Sequence, residues 1–83
     1  MYARHDPGAH GRATRTHERA ADLHDRAARL QAEHAIEMGQ MGRPESKERA
    51  ERLAQKERSM AAYERRLAVE HRRDADNLAL DLD

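Results

Sequence analysis

A histidine returns after seven residues beside a run of alanine and leucine. His17-Glu18-Arg19-Ala20-Ala21-Asp22-Leu23 is followed by His24-Asp25-Arg26-Ala27-Ala28-Arg29-Leu30. Imidazole in such a pattern can ligate metal, respond to pH, or edge a helix contact. Seven residues of helix rise about 10.5 Å, too far for His17 and His24 to share one ion. Zinc wants three or four ligands. The Glu-x-x-His pattern of di-iron helical bundles is missing, and only the reversed forms His34-Ala-Ile-Glu37 and His71-Arg-Arg-Asp74 occur. No metal and no cofactor are expected on these grounds, with metal-dependent assembly through the His/Glu residues kept as an alternative.

A second polar series runs through the later part of the chain. Turning each residue by about 100° places Glu57, Glu64 and His71 inside an apolar stripe beside Leu53, Met60 and Leu67. A carboxylate set between apolar helices needs a partner. A turn centred between Gln40 and Met41 sets His24 opposite Glu57, His17 opposite Glu64 and His10 opposite His71. His17, His24, Glu57 and Glu64 are therefore the expected polar register pairs.

The elements that must position these groups are helical. Glycine and proline are few, alanine supplies much of the 37% hydrophobic content, and 39% of residues are charged. Residues 1–12, with Pro7, Gly8 and Gly11, read as a flexible N-terminal arm. A helix is predicted over 13–38, with Thr14 or Thr16 as its N-cap, a turn over 39–43, a helix over 44–79 and a short acidic tail over 80–83. Gly39 or Gly42 suits the left-handed end of the first helix, and Pro44 suits the first position of the second. Asp22/Arg26, Asp25/Arg29, Glu45/Arg49 and Glu48/Arg52 are acid-first i,i+4 pairs, each adding about 0.2–0.5 kcal/mol. The expected fold is all-α: an antiparallel, coiled-coil-like hairpin of two long helices with an alanine-rich seam.

Leu23, Ala27, Leu30, Leu53, Met60, Ala61, Leu67 and Leu78 are the expected interaction seam. Alanines recur every seven residues at 54, 61, 68 and 75, and at 21, 28 and 35, a spacing that lets helices approach closely. With seven leucines, one isoleucine and one valine, a lone hairpin buries little, so dimerisation into a four-helix bundle, or docking on a larger protein, is expected.

Composition narrows function by exclusion. No Gly-rich phosphate loop or Ser/His/Asp constellation is present, cysteine is absent, and a two-helix layer has no room for a substrate pocket of several hundred Å³. The protein is read as a non-enzyme. Sixteen basic and sixteen acidic side chains cancel, so no global pull on nucleic acid arises. Arg15, Arg19, Arg65, Arg66, Arg72 and Arg73 do cluster toward one end as an alternative anion-binding site, weakened by interspersed acids and without aromatic residues for base stacking. MYARHDPGAHGR has no apolar run and nothing later resembles a membrane span, so no membrane partner and a cytoplasmic setting are expected. The size and two-helix plan resemble those of WXG-type hairpins, but their Trp-x-Gly turn is not present. The leading expectation is an assembly module acting through its alanine and leucine face.

Overall fold

In a computed structural model that describes residues 7–81, with side chains from 8 to 77, two α-helices account for nearly all of the chain. Helix α1 spans Pro7–Gln40 and α2 spans Pro44–Asp81. They pack antiparallel as a hairpin measuring 63 × 22 × 13 Å. The shortest dimension is close to the thickness of one helix with its side chains, about 10–12 Å. The hairpin is thus a single layer with two broad faces.

The joint follows from three residues. Gly42 takes φ 70°, a left-handed conformation that costs a side-chain-bearing residue about 1–2 kcal/mol. Around it the Arg43 amide donates to the Met38 carbonyl at 2.8 Å and the Gly42 amide to Gly39 at 3.1 Å, the paired bonds of a Schellman stop. Pro44, without an amide hydrogen, opens α2, and the Lys47 amide donates to Arg43 at 3.0 Å. Gly39 also gives room: a Cβ there would sit 3.3 Å from Cδ of Lys47.

The first helix starts earlier than its local sequence predicts. Residues 7–12 extend α1 instead of forming an arm, with Pro7 at the start where its fixed φ is already helical. Thr14 and Thr16 are accordingly not caps. Their hydroxyls donate to the carbonyls of His10 and Arg12, 2.9 Å in each case. The extra turns matter because α1 then reaches alongside the His71 region of α2. At the other end α2 runs through Leu80 and Asp81, so these two residues belong to the helix and not to a separate tail. Residues 1–6, 82 and 83 lie outside the described residues, as does the side chain of Leu78.

Between the helices the buried set is almost entirely alanine. Ala21, Ala28 and Ala35 from α1 and Ala50, Ala54, Ala61 and Ala68 from α2 are joined by Met38 and Thr14. Thr14 continues the seven-residue series of Ala21, and its hydroxyl comes within 3.4 Å of the Ala68 carbonyl. A short side chain touching the opposite backbone is the signature of a close helix pair. Among the described side chains of the expected interaction seam, only Ala61 lies buried on the contact between the two helices. Leu23, Leu30, Leu53 and Met60 retain 62, 66, 47 and 39% of their surface, and Ala27 and Leu67 are half-buried. A leucine on the contact line would push the axes apart and break contact at every neighbouring alanine.

Ala61→Leu is therefore expected to destabilise the hairpin by about 1–3 kcal/mol through overpacking. Ala62→Leu, on the exposed side of the same helix, should stay within about 0.5 kcal/mol of the parent. Urea denaturation measures both, and equal midpoints would contradict the alanine contact.

Candidate functional site

Three polar layers cross the hairpin beside the alanine line. His24 Nδ1 lies 2.5 Å from Glu57 Oε2, and His17 Nδ1 lies 2.5 Å from Glu64 Oε2. A carboxylate only accepts, so in each layer Nδ1 carries the proton and donates. These side chains keep 21–26% of their surface, enough burial to make a lost partner costly and enough exposure to keep contact with water. In the third layer His10 Nδ1 is 3.2 Å from His71 Nδ1. The structure thus brings together the three pairs that a turn between Gln40 and Met41 sets opposite one another. A slip of one residue would rotate each histidine by about 100°, away from its partner.

The third layer is more crowded than pairing alone requires. The His17 ring stacks on His71, with centroids 5.3 Å apart and planes 13° from parallel. His10 meets His71 at 5.5 Å with a 42° tilt. Asp74, one turn beyond His71, completes a group in which one ligating atom from each of His10, His71 and Asp74 lies within 4.8 Å of the others. Sequence reasoning assigned residue 10 to an arm and so gave Asp74 no neighbour on α1. The His10/His71 alignment was the signal available for it.

The two broad faces differ in chemistry. A step of three residues from the ladder histidines reaches Ala20 and Ala27, and from the ladder glutamates Met60 and Leu67; Leu53 lies four residues before Glu57. Because the helices are antiparallel, these steps turn toward the same side of the layer. Leu23 and Leu30 border that side on α1 and Tyr63 borders it on α2, giving an apolar face floored by the His–Glu ladder. Its large members are the exposed leucines and methionine, and its small ones are the half-buried Ala13, Ala20 and Ala27.

The opposite face is mostly charged, with exposed Val69 set among its ionic side chains. Arg65 hydrogen-bonds Asp25 and sits 3.6 Å from Asp22, and Arg72 Nη2 donates to Glu18 at 2.5 Å. Asp22 and Asp25, expected to pair along α1, thus reach across to α2. Glu48 and Arg52 approach to 4.0 Å within α2. Of the arginines grouped as an anion site, Arg65 and Arg72 already hold carboxylates. Arg66 lies over the Tyr63 ring at 5.8 Å, and Arg15, Arg19 and Arg73 are exposed. The Arg65 hydrogen bond holds the Asp25 carboxyl below its usual range, with the Arg65 and Arg29 charges adding to the effect.

Among the described residues no helix is long and apolar enough to cross a membrane. Compared with family models, curated proteins and solved structures, the chain matches none. The fold and the ladder define the class: an alanine-packed antiparallel helical hairpin crossed by a histidine–glutamate ladder.

Two measurements test the polar contacts. Removing one member of a partly buried polar pair leaves the other without its partner and is destabilising. Glu57→Leu and Glu64→Leu, which strip His24 and His17 of their partners, are expected to lower the melting temperature or to change oligomeric state; unchanged melting and unchanged mass in both variants contradict a pairing role. Asp25, with its folded pKa lowered, contributes stability above the ordinary carboxylate range that is lost as pH falls through the folded pKa. Asp25→Asn should therefore show a shallower loss of stability than the parent between about pH 5 and about pH 3, read from thermal melts.

Proposed function

We propose that this protein is a non-catalytic assembly module that pairs with a second copy of itself through its apolar face, forming a four-helix bundle in a cytoplasmic setting. The observation that carries this reading is a set of substantially exposed large apolar side chains, Leu53 and Met60 on the broad face and Leu23 and Leu30 along its α1 edge, on a layer one helix thick. Scattered apolar residues on a surface need no explanation, but a contiguous set does.

Shape favours a second copy. On α2 the face presents a ridge of Leu53, Met60 and Leu67, and on α1 a trough over Ala13, Ala20 and Ala27 flanked by Leu23 and Leu30. A twofold axis lying in the contact plane, parallel to the helices, sets each ridge over the other copy's trough. Such a contact is isologous and closes on itself. Leu53 then meets the level of Ala27, Met60 that of Ala20, and Leu67 that of Ala13. Large side chains fill the space that small ones leave, which is how helix layers interlock. The His–Glu layers come to lie beneath the contact, each with its hydrogen bond already made.

Each half-exposed leucine that becomes covered contributes about 1 kcal/mol. A buried, unpaired carboxylate in its place costs more. Sedimentation or light scattering at two concentrations should show a species of twice the 9.5 kDa chain mass, dissociating on dilution. Leu23→Glu with Leu30→Glu should weaken it at least about tenfold while helicity persists. A folded monomer at every concentration, or a dimer untouched by these substitutions, overturns the reading.

A further inference from the structure

We propose that the open end of the hairpin carries a binding site for a divalent late transition-metal ion, with zinc as the reference ion, built from His10, His71 and Asp74. The geometry is independent of the self-association reading and stands if that reading fails.

Two imidazole nitrogens aimed at each other at 3.2 Å have two ways to be satisfied. One is a single hydrogen bond, which needs complementary tautomers. The other is a shared cation, which engages both lone pairs at once. Zinc–nitrogen bonds of about 2.0–2.1 Å in a tetrahedral site place neighbouring nitrogens about 3.4 Å apart. The two rings therefore already sit near the edge length of such a tetrahedron.

Asp74 supplies the third donor. It follows His71 by three residues, so both project from one side of α2, and its carboxylate oxygen falls within 4.8 Å of one ligating nitrogen on each histidine. A small rotation of an exposed carboxylate brings it to bonding distance. Two imidazoles and one carboxylate, with water in the fourth position, form a donor set suited to zinc, nickel or copper.

A supporting layer orients these ligands. The His17 ring stacks on His71, and His17 is held in turn by Glu64. Metal ligands are commonly steered by such neighbours. The other two layers do not offer the same opportunity. In each of them a histidine nitrogen already donates to a glutamate at 2.5 Å.

The site ties the first turns of α1 to the last third of α2, at the end of the hairpin that no turn closes. Its occupation should fasten the helix ends together.

Titration of the full chain with zinc chloride against a competing chromophoric chelator tests the assignment. One equivalent per chain is expected, together with a rise in melting temperature that EDTA reverses. His10→Ala and His71→Ala should each weaken binding at least about tenfold, and Asp74→Asn should weaken it to a smaller extent. His34→Ala, on the exposed surface of α1, should leave it unchanged. Circular dichroism checks that each variant keeps its helices, and Asp74→Asn, which alters only an exposed side chain, decides the matter should a histidine variant lose structure. Absence of zinc binding, binding that survives in the folded His10, His71 and Asp74 variants, or equal loss in His34→Ala overturns the proposal.

Discussion

Methyl groups of alanine facing one another across two helices set the terms for everything else in this molecule. Ala21, Ala28 and Ala35 lie against α2 while Ala54, Ala61 and Ala68 lie against α1. The contact is thin, and its advantage is proximity. Helices that approach closely bring short side chains into reach of the opposite backbone, as Thr14 does with the Ala68 carbonyl. The arrangement leaves no place for a leucine on the contact line. Bulky apolar residues are displaced to the flanks, and the hairpin acquires an outer apolar surface as a direct result of how it packs internally.

Methyl contacts alone specify register weakly, because one alanine resembles the next. The polar layers supply what they lack. His17 with Glu64 and His24 with Glu57 are spaced by the same seven residues as the alanines. They hold only when the turn is centred where Gly42 and Pro44 put it. A slide by a full heptad would preserve alanine on alanine but leave a histidine and a glutamate unmatched at the ends. On the charged face Arg65 and Arg72 bind acids of α1, adding exposed contacts worth little singly that share the same register.

Local signals account for a large part of the site and fail in identifiable places. The turn, the antiparallel order and the opposition of three polar pairs follow from Gly39–Pro44 and from counting residues away from it. The start of α1 does not. Pro7, Gly8 and Gly11 are read locally as breakers, yet residues 7–12 are helical; contact with α2 around Ala68 and His71 compensates for their poor propensity. That extension places His10 beside His71 and Asp74. The arginines likewise look like a free basic cluster in one dimension, whereas acids on the facing helix already neutralise two of them.

Periodicity in the chain by itself determined that there are two helices, where they reverse, and that alanine and histidine each recur every two turns, because these are properties of nearest neighbours and of helical pitch. Which of two alanine series would form the contact was a tertiary decision. Ala20 and Ala27 compete with Ala21 and Ala28 on sequence, and they differ by a rotation of about 100°. Only the facing helix resolves this, since Ala21 and Ala28 allow the closer approach with His17 and His24 still aimed at their glutamates. The leucines were left outside for the same physical reason: two backbones could not come together with larger side chains between them.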